Sequence, residues 1–436
     1  MSPIEVTVIM FASMLILMLI GLPVTFCLGT VGVLATFFLW GPHAFNVVYF
    51  SLEGVSGSIV LTAVPLFMFM GFMLHYSGVA RDIFTTIYKW AGGIPGALGA
   101  GTVVVCAIIA AMIGLSGPTV LSLGVVVLPA LLERGYNKRL TVGTVMSGGA
   151  LGFLIPPSLM MVMFGFLGDV SVGKLFAAGV MPGLLLASIY IVFIMVRCMI
   201  RPEDGPALPV DQRASWKERF ISLRYIVCPG ILICTLLYAI FSGVASPTEA
   251  SAIGAGLSVM VAVAHRRFSW KVLHQTCVHT MRIAGFAGYI TICALIFSKT
   301  YSALGATSMI RSLVVGLDVN PWLILVVMQL SFFLLGMFLD DIAILFLCMP
   351  IYLPIIKSFG FDPVWFGILY VMNMQMAYLT PPYGLNLFFM KAVAPPEVTI
   401  KDIYFAVIPF LFLQALALAM VMIFPQIAMW LPSQLF

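Results

Sequence analysis

The sequence predicts an all-α polytopic membrane protein, built as an inverted repeat with five membrane-spanning helices and one re-entrant hairpin in each half. Three observations lead there. First, of 436 residues 62% are hydrophobic and only 8% charged, and the mean hydropathy of +1.15 belongs to membrane chains rather than soluble ones. Second, two proline pairs, Pro156–Pro157 and Pro381–Pro382, stand inside apolar stretches long enough to span a bilayer. A proline inside a helix removes a donor and clashes with the preceding turn, at a cost of about 3 kcal/mol. Irregular backbone at membrane depth is tolerated only where protein covers it or a cavity solvates it, so broken helices mark binding sites in transporters. Third, Pro129, Gly135, Pro156 and Pro157 recur as Pro354, Gly360, Pro381 and Pro382 at one common offset, and Pro23 with Gly32 is echoed by Pro247 with Gly256. Recurrence of residues with backbone meaning is the internal symmetry of a duplicated transporter.

Taken in order, apolar segments fall at about 4–20, 24–40, 59–79, 97–132, 142–167 and 175–199, and a second set at about 225–242, 247–264, 282–300, 321–357, 364–390 and 404–431. The repeats are accordingly residues 1–200 and 225–436, joined by a polar loop at 201–224. The first segment lacks the basic leader of a cleaved signal and is expected to stay as a helix. The fourth member of each set is interrupted by a polar tip: Ser116, Gly117, Pro118 and Thr119 in one, Asp340 and Asp341 in the other. Each is a hairpin or a pair of spanning helices, and basic residues discriminate, since cytoplasmic loops are enriched in them. Lys and Arg cluster near 81–89, 134–139, 197–224, 266–282 and 391–401. With both runs as hairpins only Lys174, Lys299, Arg311 and Lys357 fall opposite, leaving 17 of 21 on one side. Both termini then face outside, and the two tips approach the midplane from opposite sides. Segments 81–92 and 265–281 are too polar to span and are expected at the cytoplasmic interface.

A buried carboxylate in a membrane is costly and therefore a functional candidate. Asp340 and Asp341 have two readings, as helix caps or as cation ligands, and the two are compatible. Being consecutive, their side chains are expected to diverge on a helix. Ser116 and Thr119 carry the same pair of readings, while Glu249 reads as a first-turn dipole partner. Hard cations take oxygen ligands, and the breaks free the carbonyls of Gly152, Ile155 and Pro157 in one half and Ala377, Thr380 and Pro382 in the other. Two cation sites follow as expectations, one between Ser116–Gly117 and residues 152–157, the other between Asp340–Asp341 and residues 377–382. Tyr383 and Asn386 can donate to an anion or serve packing alone; Ser116, Thr119 and Ser158 complete the expected substrate set. The residues contain no metalloprotease or serine-hydrolase signature, no basic stripe for nucleic acid, and eight Cys without a CxxC spacing, which read as small hydrophobes.

Residues SGPTVLSLGVVVLPALLERGYNKRLTVGTVMSGGALGFLIPPS, ASPTEASAIGA, GMFLDDIAILFLCMPIYLPI and YLTPPYGLNLF resemble the large membrane subunit of tripartite ATP-independent periplasmic (TRAP) transporters, over essentially the whole chain. The resemblance implies a sodium-driven importer of a small organic anion, carboxylate or sulfonate, in the bacterial inner membrane, with sodium as coupling ion at two or more sites. It implies as partners a small four-helix membrane subunit, here a separate chain because the first apolar segment already belongs to the repeat, and a periplasmic substrate-binding protein. It further implies an elevator in which residues 97–167 and 321–390 move against a scaffold. A stand-alone carrier of the wider ion-transporter superfamily, needing no binding protein, is the alternative reading.

Overall fold

The computed structural model describes all residues except 92, 210–212, 317, 318 and 383, and every regular element among the described residues is helical. The first half runs α1 (Pro3–Leu19), α2 (Val24–Ala35), α3 (Asn46–Ser56), α4 (Ile59–Tyr76), α5 (Val79–Trp90), α6 (Ala97–Ile113), α7 (Ser116–Leu132), α8 (Lys138–Ala150), α9 (Leu159–Gly168) and α10 (Val172–Ile200). The second runs α11 (Trp216–Phe241), α12 (Pro247–Ala264), α13 (Trp270–Ala303), α14 (Ala306–Val315), α15 (Pro321–Gly336), α16 (Asp341–Ser358), α17 (Pro363–Ala377), α18 (Leu385–Val393), α19 (Ile400–Ile423) and α20 (Gln426–Leu435). Seven of these, α4, α10, α11, α12, α13, α16 and α19, are long and apolar enough to cross a bilayer.

Local chemistry sets the starts. In α1, α11, α12 and α19 a Ser or Thr cap and a carboxylate three residues on satisfy each other's orphan backbone N–H. Glu249 is one of those carboxylates, as its position in ASPTEAS predicts. The two interrupted runs are each a pair of helices, α6 with α7 and α15 with α16, and the two proline pairs separate α8 from α9 and α17 from α18.

Hydrogen bonds gather all five basic clusters at one end. Arg267 pairs with Asp82 at 3.0 Å, Trp90 donates to the Arg219 carbonyl, and Arg134 reaches Tyr88. Asp204 accepts from Asn137 and Arg197, Lys138 donates to the Glu397 carbonyl, and Arg139 pairs with Asp402. The α6–α7 pair opens at this basic end, where the Gly96 N–H meets the Gly205 carbonyl. The α15–α16 pair opens at the other, because Trp322 stacks edge-on with Trp365, which donates to Val421 at the far end of α19. The hairpins therefore enter from opposite ends.

Helix contacts are reciprocal between the halves: α2 lies on α13 and α12 on α4, α8 on α19 and α17 on α10, and α7 on α18 and α16 on α9. Three features depart from the sequence reading. Residues 270–281 are no separate interfacial segment but the first turns of α13, a 34-residue helix. It contains no proline, and its Gly285 and Gly288 face open space, so nothing interrupts it. The short helices α3 and α14 were not anticipated; α14 buries only Ala306, so no apolar stripe announces it. Finally, α10 and α19 pack on α6, α8, α9 and α17, placing them with the hairpins and broken helices rather than among the remaining helices.

Candidate functional site

Glycines bring the first tip onto the first break. Gly114, at φ 66°, ends α6, and a Cβ there would stand 2.5 Å from the Pro157 carbonyl oxygen; one on Gly152 would stand 2.8 Å from the Leu115 oxygen. Only glycine combines that conformation with that approach. The Leu159 N–H closes the contact by donating to the Gly114 carbonyl at 3.2 Å. Both proline pairs are joined by cis peptide bonds. No backbone N–H among the described residues reaches the carbonyls of Ile155 or Pro157. In the second break the Ala377 and Thr380 carbonyls accept from Thr380 and Gly384 at 3.0 and 3.1 Å, so the two breaks are not equally open.

Ser116 does not cap α7. Leu115 holds that position without a side-chain bond, and the Ser116 hydroxyl instead pairs with the fully buried Asn386 amide at 2.8–3.0 Å. This joins the first tip to the start of α18. Thr119 donates to the Leu115 carbonyl at 2.7 Å and Ser158 to the Phe153 carbonyl at 2.5 Å, both wholly buried. Tyr383 lies outside the described residues.

At the second tip Asp340 is the N-cap of α16 and accepts from the Ile342 N–H. The two carboxylates do not diverge. The cap residue has extended backbone, φ −69° and ψ 147°, which turns its side chain back, so the Tyr378 hydroxyl meets Asp341 at 2.8 Å and Asp340 at 3.5 Å. Tyr370 donates to the Asp341 carbonyl at 2.5 Å. Tyr378, whose ring stands edge-on to Phe153 with centroids 4.7 Å apart, was missed in the sequence; its signal is a phenol three residues before a proline pair.

Both tips line one cavity of about 210 Å³. Its polar lining comprises Ser116, Asp340, Asp341 and Tyr378; Phe153 and Phe389 contribute from the broken-helix group, and Met68 of α4 and Phe286 of α13 from the opposite wall. The first residues of four helices border it: Ser116 of α7, Leu159 of α9, Asp341 of α16 and Leu385 of α18. Helix N-termini carry partial positive charge and unpaired N–H groups. No Lys, Arg or His is among the lining residues. Such a site can hold an anion on helix ends and a cation on carboxylates and freed carbonyls. Of the expected residues, Ser116, Gly117, Asp340 and Asp341 line the cavity; Gly152 and Pro157 lie against the first tip.

Comparison with known proteins follows the same lines. A family model described as "Tripartite ATP-independent periplasmic transporter, DctM component" matches residues 11–427. The chain is 33% identical over 411 residues to the C4-dicarboxylate TRAP transporter large permease protein DctM of Pseudomonas aeruginosa, covering 94% of each chain. It is 28% identical to the ectoine TRAP transporter large permease protein TeaC of Halomonas elongata, covering 98% of each. The crystal structure of the YdaH transporter of Alcanivorax borkumensis superposes with a TM-score of 0.66 over 91% of this chain and 90% of that one, at 13% identity, a likeness of fold.

Proposed function

The chain belongs to the DctM family of tripartite ATP-independent periplasmic transporters, and on that premise we propose that it is the translocating subunit of a sodium-coupled importer of a small organic anion. It is a multi-pass membrane permease subunit and not an enzyme. The observation that carries the proposal is the convergence of four helix N-termini on a cavity whose charged side chains are two aspartates. Each helix end favours an anion by about 1 kcal/mol in partly buried geometry. The two carboxylates oppose it, and the cavity offers no basic side chain to balance them. A bound cation resolves the conflict, so anion and sodium enter together. Two sodium sites are assigned, at Ser116–Gly117 with Gly152, Ile155 and Pro157, and at Asp340–Asp341 with Ala377, Thr380 and Pro382.

Movement follows from the walls of the cavity. Met68 and Phe286 belong to helices outside the hairpin group, so sliding that group changes the face to which the cavity opens. The moving body is α6–α10 with α15–α20, larger than residues 97–167 and 321–390, against α1–α4 and α11–α13. The reciprocal helix contacts support the inverted repeat of residues 1–200 and 225–436. By the positive-inside rule the basic end lies in the cytoplasm of the bacterial inner membrane. Thr7 bonds to Tyr301 and Phe436 lies near Gly173, both away from that end, which supports a periplasmic side for the termini. A small four-helix membrane subunit and a periplasmic binding protein complete the transporter. Relatives named for a C4-dicarboxylate and for ectoine match this chain over 94% and 98% of its length, which supports the binding protein as the element that selects the cargo.

The test is uptake into proteoliposomes holding this chain and the small subunit, with carboxylates and sulfonates offered on the cognate binding protein. Uptake is expected to rise sigmoidally with sodium. Equal uptake from sodium-free buffer under a proton gradient sinks the coupling, and full uptake without the binding protein selects the stand-alone carrier.

A further inference from the structure

A groove of about 730 Å³ runs between α10 and α19, remote from the cavity. Ser188, Val192, Val196 and Ile200 recur at four-residue spacing along one α10 ridge, with Leu413 and Leu416 of α19 opposite; at 1.5 Å per residue this is about 18 Å of helix. The ridge is open: Val192 is 59% and Leu416 52% exposed. Its charge is confined to one end, where Arg197 and Arg201 line the mouth. Arg197, which lines the groove, pairs with Asp204 through Nε at 2.8 Å, and this ion pair leaves its two terminal guanidinium nitrogens uncommitted to Asp204. Arg201 is exposed, and no hydrogen bond or ion pair holds its side chain among the described residues. Asp204 is buried and committed to Arg197 and Asn137, and neither it nor Glu203 lines the groove.

An apolar trough in a membrane protein ending in two arginines at the basic end matches an amphiphile with an anionic head. We propose that this groove is a site for one anionic phospholipid, its phosphate on Arg201 and Arg197 and an acyl chain along Val192, Val196 and Leu416. The guanidinium fork matches phosphate oxygens, and basic residues at the cytoplasmic end of a gap between helices are the common arrangement for acidic headgroups. Apolar side chains alone cannot discriminate among lipids, because acyl chains are as apolar as Leu; the arginines give the site its selectivity for negative charge.

The purified subunit in non-ionic detergent is titrated with dioleoyl phosphatidylglycerol, dioleoyl phosphatidylcholine and inorganic phosphate, read by thermal unfolding and by native mass spectrometry. Phosphatidylglycerol is expected to bind as a single saturable adduct and raise the unfolding midpoint, the other two not. Arg201→Gln should weaken it about fivefold, Arg201→Lys should restore most of it, and Val192→Trp should remove the adduct by filling the trough. Both positions are exposed, and the melting of the lipid-free variants reports that they fold. Equal binding of phosphatidylcholine, an equal shift with phosphate alone, or unaltered affinity in Arg201→Gln and Val192→Trp each overturns the proposal. So does displacement of the lipid by the small subunit, which would make the groove a subunit contact.

Discussion

Tyr378 is the residue on which the second tip depends. Its hydroxyl donates to the Asp341 carboxylate at 2.8 Å, and a hydrogen bond to a charged group is worth about 1.5–3 kcal/mol. That bond ties the Asp341 carboxylate to the residue four positions before Pro382, so its loss is expected to loosen the proposed sodium site. Tyr378→Phe keeps the ring against Phe153 and should therefore fold, while raising the half-saturating sodium concentration for uptake about tenfold. Sodium dependence identical to wild type would remove Tyr378 from the coupling site. Asn386 and Ser116 play the matching part at the first tip, where their reciprocal bonds spend the polar groups that sequence reading assigned to substrate.

Among elements, the fit of hairpin to broken helix is what the glycines encode. Gly114 and Gly243 share a positive φ, 66° and 71°, but a Cβ on Gly114 meets the Pro157 carbonyl at 2.5 Å whereas Gly243 has nothing within 4 Å. Ala at either position incurs the left-handed strain of about 1–2 kcal/mol. Gly114→Ala must in addition push the tip off the break. Fluorescence-monitored melting should thus drop further for Gly114→Ala than for Gly243→Ala, with uptake lost only in the former. Equal shifts in the two variants would mean that the tip is not seated on the break. In the uninterrupted α13 the polar residues of 270–281 read as part of an interfacial segment, yet polarity alone does not end a helix that lacks Pro or a positive-φ Gly.

For the whole molecule, the proposed elevator requires contacts that form in one state and break in the other. His75 at the end of α4 is hydrogen-bonded through Nδ1 to Ser122 of α7, a direct tie between the two helix groups. His75→Cys combined with Ser122→Cys in a cysteine-free background, bridged by mercuric ion, should abolish uptake while sodium still protects the protein thermally, and reduction with excess thiol should restore it. Full uptake with complete bridging would rule out sliding between α4 and α7. At the same scale, α10 and α19 are ordinary apolar spans by sequence, and only the folded chain sets them against α6, α8, α9 and α17.

What the sequence determined by itself are the properties that act within a turn or two. Apolar length sets the membrane class, the proline pairs break helices because proline lacks an N–H, and Ser-x-x-Glu boxes start them. Each is decided by atoms a few residues apart, so each is legible before folding. What the tertiary structure decided are meetings across the chain: Ser116 with Asn386, 270 positions away, Tyr378 with two carboxylates that the helical period set apart, and four helix N-termini around a cavity. None of these leaves a periodic trace, since the partners are chosen by how the two halves interlock rather than by either half's own pattern.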